Sequence, residues 1–390
     1  MHIAHIQGIF SPEHGGPTHS LANYCRGQVK VGHRVSVWAL EGYAHTSPAL
    51  RLESPVESHI FQAAFPTVLG RSRQLRAALQ QVSSPDVLHL HGAWLRAMHY
   101  GAELARVRRI PFLLEVMGMY EPYSLGQKWF RKRIARWWFQ DAILRDAACL
   151  HVNSRMEAAN LRQLGFCSPM AIIPVGVEMP ELGQGVLSDA AALDSHHIVD
   201  RPFALFLSRI HHKKGVELLL RAWVGVSRRH PDVSLVIAGA GNPDYVAGCR
   251  RLAEDLKIGK TCIWTGSVSD TQKKWLLANA RLFVLPTFSE NYGNVVAEAL
   301  AHATPVVTTN ATPWRDIAAR GCGWVIDPDA ASVESALTEA LALRASELRR
   351  MGVLGRRWAA ESFSLERVLA DLEGVYSWLR AGGAKPGCVE

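Results

Sequence analysis

The chain has 390 residues, 48% of them hydrophobic and 20% charged, so it is long enough for two domains with their own cores and is not broadly disordered. Its 43 Lys and Arg residues exceed its 35 Asp and Glu residues, and the formal charge of +8 favours anionic partners without choosing among phosphates, acidic lipids and nucleic acid. The seven cysteines are scattered and form no CxxC pair, which argues against a disulfide framework or a zinc ribbon and fits a reducing compartment.

The sequence shows no signal for export or for membrane insertion. The N-terminus has no basic leader followed by a long apolar stretch, and no run approaches the roughly 20 apolar residues that a membrane-spanning helix needs. We therefore expect a cytoplasmic protein, either freely soluble or lying on the inner face of the plasma membrane.

Short apolar runs alternate with amphipathic helical patterns along nearly the whole chain. The first set of predicted strands is 2–8, 34–40, 87–91, 112–116, 149–153 and 171–173. The second set is 203–208, 233–239, 261–265, 282–285, 305–308 and 323–326. Strands that alternate with helices predict a parallel sheet covered on both faces. Because the pattern occurs twice, the predicted fold class is α/β, with two doubly wound Rossmann-like domains that bind ligands at the carboxyl ends of their strands.

The pattern is interrupted at 174–202, where Gly, Pro, Ser and acidic residues show little periodicity. We therefore predict an N-terminal domain at 1–178, a linker at 179–202 and a C-terminal domain at 203–363. A last amphipathic helix is predicted at 364–380, and 381–390 is expected to be a frayed tail.

Two glutamates separated by eight positions, Glu290 and Glu298, follow the strand 282–285 and flank the start of a helix near Gly293. Glu298 is expected about 7 Å along the helix axis, which is too far for an acid–base dyad but suits contacts with two parts of one elongated ligand. Backbone amides around Gly293 and the positive helix end suit a diphosphate between them. The alternative is that Glu290 only stabilises the helix start and Glu298 is solvated.

Two further motifs each follow the first predicted strand of one domain, and a third sequence, at Gly239, ends a later strand. Arg209 and Lys214 come after the strand 203–208, where fixed cations could neutralise phosphate charge, although a solvated basic loop is the alternative. Gly15 and Gly16 follow the first strand of the chain and allow close approach of a ligand to the backbone. Gly239 begins a Gly-Ala-Gly sequence that lacks the third glycine of a dinucleotide site.

These motifs, in this order, resemble those of family 4 of the retaining glycosyltransferases, which have the two-domain fold called GT-B. The E-x7-E motif of that family matches Glu290 and Glu298, its arginine–lysine pair matches Arg209 and Lys214, and its glycine-rich loop matches 15–16. The resemblance extends to about residue 379. It implies two Rossmann-like domains that face a cleft and a C-terminal helix that crosses back onto the N-terminal domain.

The resemblance implies a role for each matching residue. Arg209 and Lys214 would bind the diphosphate, Glu298 the ribose hydroxyls and Glu290 the transferred sugar, so that Glu290, Arg209 and Lys214 are the catalytic candidates. Further donor-binding candidates are Gly15, Gly16, Gly239, Val268 (beside the base), Asn291, Tyr292, Gly293 and Asn294. No metal or other cofactor is expected, since the two cations and the helix end take the metal's place. The DxD sequence Asp327-Pro328-Asp329 is interpreted as a turn, with a metal site as the alternative.

The sequence departs from the family at Met117, where many relatives have a histidine that contacts the sugar. A thioether is a weak acceptor and cannot replace an imidazole. His91, at the end of the strand 87–91, is the other candidate on the acceptor or sugar side, with a purely structural role as its alternative. The histidine pairs at 196–197 and 211–212 have no ligand partners at metal-binding spacing, so we assign no metal site to them.

The segment 127–139 combines tryptophans with arginines and lysines in the sequence QKWFRKRIARWWF. Interfacial helices use that mixture to contact acidic lipids. A domain helix that buries its aromatics is the alternative. Nucleic acid is not expected as a partner, because no recognised nucleic-acid-binding motif is present.

The implied function is that of a retaining, metal-independent hexosyltransferase. It would move a hexose-type sugar from a UDP- or GDP-sugar to a lipid-linked or polysaccharide acceptor in cell-surface glycan synthesis. The alternatives are a non-catalytic scaffold of the same fold that binds nucleotide or glycan, which Met117 favours mildly and the four charged motif residues oppose, and an epimerase of that fold.

Overall fold

The computed structural model describes residues 1–12, 15–43, 48–127, 129–181, 198 and 201–390. Most of the predicted linker 179–202 lies outside the described residues, as do Lys128 and the histidine pair 196–197. The chain divides into two compact units: unit 1 comprises Met1–Gly176 and Leu365–Glu390, and unit 2 comprises Val177–Ser364.

Unit 1 contains a seven-stranded parallel sheet with the order β3-β2-β1-β4-β5-β6-β7. Its strands are β1 (His2–Ile9), β2 (Arg34–Glu41), β3 (Glu57–Gln62), β4 (Val87–His91), β5 (Phe112–Glu115), β6 (Cys149–Val152) and β7 (Met170–Ile172). The six predicted strands of this half are confirmed within two residues at either end. The edge strand β3 was not predicted, because its sequence ESHIFQ has only two strongly apolar residues and every residue in it stays at least partly exposed.

The helices of unit 1 connect these strands and cover the sheet. They are α1 (Gly16–Lys30), α2 (Arg73–Gln81), α3 (Arg96–Arg108), α4 (Pro122–Gly126), α5 (Trp129–Ala135), a π-helical turn (Arg136–Gln140), α6 (Asp141–Asp146), α7 (Arg155–Gln163) and the last helix of the chain, α15 (Leu365–Ala381). Helix α15 packs its buried side chains Val368, Leu372 and Val375 against the sheet residues Ile3 and Leu113. The predicted return of the last helix to the N-terminal domain is therefore confirmed.

The prediction of a frayed tail is wrong. After α15 the chain pairs antiparallel with β7: the Met170 amide donates to the Glu390 carbonyl at 3.0 Å, and the Ile172 amide donates to the Cys388 carbonyl at 2.8 Å. Val389 is buried in the same cluster as α15. The local sequence of this segment gives no strand signal. The segment is ordered because Val389 is buried and because its backbone pairs with the open edge of the sheet.

Unit 2 contains a six-stranded parallel sheet with the order β10-β9-β8-β11-β12-β13. Its strands are β8 (Phe203–Leu207), β9 (Ser234–Ala238), β10 (Cys262–Gly266), β11 (Leu282–Leu285), β12 (Val306–Thr309) and β13 (Gly323–Ile326). Its helices are α8 (Val216–Arg229), α9 (Pro243–Asp255), α10 (Asp270–Asn279), α11 (Asn294–Ala301), α12 (Asp316–Ala319), α13 (Ala330–Ala342) and α14 (Ala345–Ser362). The predicted strands of this half are confirmed within one residue.

In both units the strand order reverses between two neighbouring strands, β1 and β4 in unit 1 and β8 and β11 in unit 2. In doubly wound sheets such a switch point, at the carboxyl ends of the strands, is where ligands bind. The motifs containing Lys214 and Glu290 follow β8 and β11, so the topology of unit 2 places both of them at its switch point.

Candidate functional site

The loops that follow β8 and β11 pack directly against each other. The carbonyl of Lys213 accepts hydrogen bonds from the Thr287 hydroxyl and the Phe288 amide, both at 2.9 Å. Gly215 has φ +71°, and a Cβ atom there would collide with the Pro286 carbonyl. A glycine is therefore required for the two loops to approach so closely.

This packing brings Lys214 and Glu290 together. The Lys214 ammonium donates to Glu290 Oε2 in an ion pair whose side chains are 14% and 12% exposed. Arg209 lies nearby in sequence but its side chain is exposed, and within the described residues its guanidinium makes no hydrogen bond or ion pair. Of the three candidate catalytic side chains, Lys214 and Glu290 therefore bind each other, and the Arg209 guanidinium is exposed to solvent.

Helix α11 begins immediately beyond this pair. Gly293, with φ +80°, occupies its N-cap position, and Tyr292 is buried beneath it, with its ring centroid 5.1 Å from that of Trp314. The Trp314 indole N–H donates to the Tyr292 carbonyl, which fixes the loop before the helix. The first amides of a helix have no intrahelical partner, so α11 presents donors and a positive dipole end close to Glu290.

Glu298 lies on α11 and is held by a residue that the sequence motifs did not reveal. The Lys273 ammonium, from α10, donates to Glu298 Oε1 at 3.1 Å, and Asp270 lies 3.8 Å from the same ammonium. Burial alone would lower the pKa of Lys273, but the Glu298 carboxylate keeps it above its usual value. The capping sequence Ser269–Gln272 could have located the start of α10. Nothing in the sequence pairs Lys273 with a residue 25 positions away.

The remaining donor-side candidates of unit 2 lie at strand ends. Gly239 has φ +131°, and a Cβ there would meet the Ser208 carbonyl, so its first role is to let two strand-end loops touch. Val268 is half-buried between β10 and α10. Asp329 caps α13 by accepting from the Ser332 amide at 2.9 Å, and Asp327 accepts from the Asn310 side-chain amide. In the part of the chain that the structure describes, this DxD sequence belongs to no group of three close metal-type ligands.

In unit 1, the glycine pair opens α1. Gly15 has φ +72° and caps the helix, Gly16 is its first residue and Pro17 follows within the first turn. Thr18 ties this turn to the end of β1 by donating to the Ser11 carbonyl at 2.9 Å. The loop therefore follows the first strand as the motif predicts.

The profile of the group 1 glycosyl transferases matches residues 192–358, and that of the glycosyl transferase 4-like domain matches residues 15–176. Together the two profiles include every motif residue described above. The chain belongs to the group 1 glycosyltransferases. The predicted family and the GT-B fold class are confirmed, and the predicted roles of individual residues stay predictions.

Among curated relatives, the GDP-mannose-dependent alpha-mannosyltransferase of Mycolicibacterium smegmatis is 27% identical over 378 residues, or 92% of each chain. A GDP-mannose-dependent phosphatidylinositol monomannoside mannosyltransferase of the same organism is 28% identical over 225 residues, so this chain spans about half the length (56%) of that protein. Sucrose-phosphate synthase from Thermosynechococcus elongatus superposes with a TM-score of 0.79 at 19% identity, covering 98% of this chain and 100% of that one. HepE of Anabaena, solved with UDP-glucose, superposes with a TM-score of 0.75 at 17% identity and covers 97% and 99%. These two likenesses show the fold.

At the position where many group 1 glycosyltransferases have a histidine, Met117 adopts φ +56°. The following amide, that of Gly118, donates to a carboxylate oxygen of Glu157, whose other oxygen accepts from the Asn153 amide at 2.7 Å. Burial raises the pKa of Glu157 to about 7. Glu157 was not predicted as a site residue, although Ser154 and Glu157 form a recognisable helix-capping pattern.

The second acceptor-side candidate, His91, is buried in a polar layer that the sequence did not predict. His91 Nδ1 lies 2.6 Å from Glu115 Oε2, and His91 Nε2 lies 2.9 Å from His5 Nδ1. The other nitrogen of His5 lies 2.8 Å from Gln28 Oε1. Since both ring nitrogens of His91 are engaged, a sugar contact through this ring would require one of these bonds to open.

The layer continues to the last helix of the chain. Gln28 Nε2 donates to the Tyr376 hydroxyl at 3.2 Å, and that hydroxyl lies 2.8 Å from His89 Nδ1. His89 Nε2 then faces His151 Nδ1 at 3.4 Å, and His151 Nε2 lies 2.9 Å from the Ile173 carbonyl. All of these side chains are buried, and they occupy the face of the sheet that α1 and α15 cover.

If every imidazole in the layer is neutral, the direction of every hydrogen bond follows from the Ile173 carbonyl, which can only accept. His151 Nε2 must then carry a hydrogen. Following the bonds from there, each neutral imidazole donates from one nitrogen and accepts at the other, and the last bond is a donation from Glu115 to His91. One hydrogen per bond results if all four imidazoles are neutral and Glu115 is protonated. The opposite order would leave Glu115 ionised and His151 doubly protonated, two charges in the core.

The electrostatics favour the neutral arrangement. Burial raises the pKa of Glu115 and lowers the pKa of His91 and of His5 to about 3. Two groups in this layer, His5–His89–His91 and His89–Glu115–His151, lie close enough to hold an ion. The hydrogen-bond chain nevertheless accounts for every one of their nitrogens.

The helical segment from α5 to α6 is the most exposed aromatic surface of this glycosyltransferase. The exposed fractions are 58% for Trp129, 61% for Phe130, 88% for Trp137 and 68% for Trp138, whereas Phe139 is buried. Among the described residues, no helix is long and apolar enough to cross a bilayer. Four of the five aromatic rings thus face outward on the helical surface, unlike those of a core helix.

Proposed function

We propose that this chain is a retaining glycosyltransferase that binds the diphosphate of a UDP- or GDP-sugar on unit 2 and transfers its hexose. The observation that carries the proposal is the ion pair between Lys214 and Glu290, set at the switch point of the sheet beside the start of α11. Fixed cations and free helix amides are the groups that stabilise a departing diphosphate. HepE, which was solved in complex with UDP-glucose, has the same fold, and the mannosyltransferases named above are GDP-mannose-dependent.

Donor binding on this site involves an exchange of partners. A phosphate that approaches Lys214 competes with the Glu290 carboxylate, because both are anions that bind the same ammonium. When the phosphate takes Lys214, Glu290 is released to accept hydrogen bonds from sugar hydroxyls. Arg209, whose guanidinium is exposed, supplies the second cation. Glu298, which is paired with Lys273, is suited to the ribose hydroxyls.

In the transfer step, the bond between the anomeric carbon and the diphosphate oxygen breaks while the acceptor oxygen bonds to that carbon on the same face. The leaving diphosphate gains negative charge, which Arg209, Lys214 and the α11 amides stabilise without a metal. Glu290 orients the sugar. The proton of the acceptor hydroxyl leaves on the diphosphate or on solvent.

Two variants test the exchange of partners. Lys214→Ala should lower turnover on the order of 100-fold and weaken binding of the sugar-free nucleotide diphosphate, because a phosphate ligand is lost. Glu290→Gln should also lower turnover, yet it should bind the nucleotide diphosphate about 3- to 10-fold more tightly, since the competing carboxylate is neutralised.

Calorimetric titration with UDP and GDP, together with turnover of their hexose conjugates, measures both effects. Lys260→Ala, which removes an exposed lysine of the same unit, is the matched control. Normal turnover of a folded Lys214→Ala protein would refute the donor site. Tight nucleotide-sugar binding without any transfer by the native protein would instead favour the non-catalytic scaffold.

We further propose that the acceptor is lipid-linked and that the α5–α6 segment docks on anionic lipid at the inner face of the membrane. The exposed rings adjoin a pocket of about 450 Å³ that Lys132, Arg133, Arg136 and Arg145 line together with Trp129 and Trp137. Arg136 is paired with Asp141 at 3.0 Å, whereas Arg133 and Arg145 are exposed and suited to lipid phosphates.

Vesicle flotation tests this docking. Exchanging Arg131, Arg133 and Arg145 for Gln should release the protein from anionic vesicles, because each cation near the surface contributes about 1 kcal/mol, less as salt increases. The matched control exchanges three exposed arginines elsewhere in unit 1, namely Arg51, Arg73 and Arg106. Donor binding should persist in both triple variants. Equal flotation of the native protein and the first triple variant would exclude docking through this segment.

A further inference from the structure

The loop between Arg209 and Lys214 contains a histidine, His211, that has no role in the donor site described above. His211 has an extended backbone, with φ −150° and ψ 146°, and it precedes a 3-10 turn at 212–214 that Gly215 ends. Its side chain is exposed. The loop follows β8, one of the two strands between which the order of the unit 2 sheet reverses. Ligands bind at that position in doubly wound sheets.

The hydrogen bond inside this turn fixes the tautomer of the His211 ring. The Lys213 backbone amide donates to His211 Nδ1 at 3.2 Å. A backbone amide nitrogen can only donate, so Nδ1 carries no hydrogen and the hydrogen of the neutral imidazole lies on Nε2. Among the described residues, none is hydrogen-bonded to that second nitrogen. The ring therefore has one N–H donor for solvent or for a ligand.

The surroundings keep this ring uncharged at neutral pH. Partial burial lowers the pKa of His211 below its usual value of 6.5. The neighbouring groups that lower this pKa further are His212, Arg209, Lys213 and Lys214. Protonation would also put a hydrogen on Nδ1, where it would meet the hydrogen of the Lys213 amide. Both effects favour the neutral ring with its hydrogen on Nε2.

The same neighbours show where the ring lies relative to the proposed diphosphate site. Arg209 and Lys214, the two cations of that site, both lie close enough to the His211 ring to affect its pKa. A diphosphate has several non-bridging oxygens that accept hydrogen bonds, and preorganised donors around them stabilise the charge of a leaving group. The Nε2–H of His211 is a donor of this kind, beside both cations.

The turn by itself does not account for an imidazole at this position. Asn and Asp side chains accept from the backbone amide two residues further on, and they are favoured where a helical turn begins. His211 makes the same contact through Nδ1, and its ring adds a second polar atom, Nε2, that the turn does not use. That second atom is the one that can serve a ligand.

We infer that His211 is a further donor-binding residue and that its neutral Nε2–H donates to a phosphate oxygen of the nucleotide sugar, beside Arg209 and Lys214. The inference rests on the proposed function, because it places the diphosphate at this loop. An uncharged donor has an advantage here over another cation. A cation would attract the Glu290 carboxylate, which must leave Lys214 when the phosphate arrives, whereas a neutral N–H binds a carboxylate less strongly.

Two substitutions separate the roles of the two ring nitrogens. His211→Asn keeps an acceptor for the Lys213 amide, because an Asn side chain makes the same two-residue turn, and it removes the distal donor. His211→Gln extends further, so that its side-chain amide restores an N–H near the position of Nε2 while the acceptor at Nδ1 is lost. Calorimetric titration with GDP-mannose and with UDP-glucose, in the absence of acceptor, measures donor affinity. Thermal unfolding measures the stability of each variant.

We expect His211→Asn to keep the thermal midpoint of the native protein and to bind the nucleotide sugar about tenfold more weakly, since one hydrogen bond to a charged group is lost. His211→Gln should bind within about threefold of the native protein, although loss of the turn bond lowers its thermal midpoint. His230→Asn is the matched control. It makes the same substitution at the far end of α8, roughly 20 Å away along the helix, and should leave donor affinity unchanged.

Imidazole nitrogen spectroscopy tests the tautomer separately. A long-range ¹H–¹⁵N correlation spectrum of the labelled protein shows which ring nitrogen carries a hydrogen, and His211→Asn identifies the signals of His211. We expect the hydrogen on Nε2 near neutral pH and a change of the Nε2 signal when the nucleotide sugar binds. A neutral ring with its hydrogen on Nδ1 would overturn the inference, as would an Nε2 signal that bound nucleotide sugar leaves unchanged.

The failures of the two proposals are distinguishable in the same titrations. If the native protein binds a nucleotide sugar and His211→Asn binds it equally well, the inference is overturned and the donor site stands. Equal losses of affinity in the Asn and Gln variants would also overturn it, as would a thermal midpoint that falls in His211→Asn together with the affinity, because His211 would then serve only the turn. If the native protein binds neither nucleotide sugar, or if Lys214→Ala binds them normally, the proposed function fails and the inference fails with it.

Discussion

Replacing Glu115 with Gln tests the protonation state of the buried polar layer. The Glu115 carboxyl lies 2.6 Å from His91 Nδ1, and both side chains are 1% exposed. If the carboxyl is protonated, as neutral imidazoles in the layer require, a Gln amide can donate to the same nitrogen from the same position. The variant then loses little, because only the second amide hydrogen is left unpaired in the core, at a cost of about 1 kcal/mol.

The pH dependence provides the sharper test. Burial raises the pKa of Glu115 in the folded protein above the value of 4.5 that it has when unfolded. Its contribution to stability is therefore fully present below pH 4.5 and is lost as the pH rises towards the folded pKa. Over that interval the native protein loses about 1.4 kcal/mol per pH unit, a loss that the Gln variant does not suffer. The titration of the histidines in the unfolded chain is common to both proteins and cancels in the comparison.

We therefore expect Glu115→Gln to be less stable than the native protein by about 1 kcal/mol near pH 4.5 and to gain stability relative to it as the pH rises towards the folded pKa of Glu115. Urea unfolding would be followed by hydrogen exchange of the buried amides of β4 and β5, which reports unit 1 separately from unit 2. Glu103→Gln is a control of opposite sign, because the hydrogen bond from Arg76 lowers the pKa of Glu103. An ionised Glu115 beside a charged His91 would be revealed by a loss of about 3–5 kcal/mol in the Gln variant near pH 4.5 and by the absence of a stability gain from Glu115 protonation below it.

Two further predictions concern the donor site. Glu298→Ala should weaken binding of the nucleotide diphosphate by roughly 1.5–3 kcal/mol, since the proposed ribose bonds are charge-assisted, and unchanged affinity in a calorimetric titration would remove Glu298 from the ribose. Treatment with EDTA should leave transfer intact, because Arg209, Lys214 and the start of α11 supply the positive charge that a metal would provide. Complete loss of activity in EDTA that Mg²⁺ or Mn²⁺ restores would contradict this. Asp327 and Asp329 would then become candidate metal ligands.

The fold class, the family and the two sheets were all predictable from local sequence patterns and motifs. Alternating apolar strands and amphipathic helices are local patterns, and they located all but one of the strands within two residues. The exception, β3, is an edge strand whose weak apolar pattern is compensated by pairing with β2. The glycines at 15, 215 and 293 likewise express local requirements, since each has a positive φ that other residues rarely adopt.

Which charges are paired and which polar groups are buried depends instead on tertiary packing. Lys273 binds Glu298 because α10 and α11 pack against each other. The sequence motif around Glu298 does not predict this partner. The polar layer joins His5, Glu115 and Tyr376 across positions up to 371 residues apart, because the last helix of the chain returns to the first sheet. A single sequence specifies the side chains at each position, but hydrogen-bond direction, protonation and pairing depend on distances that exist only when distant segments pack together.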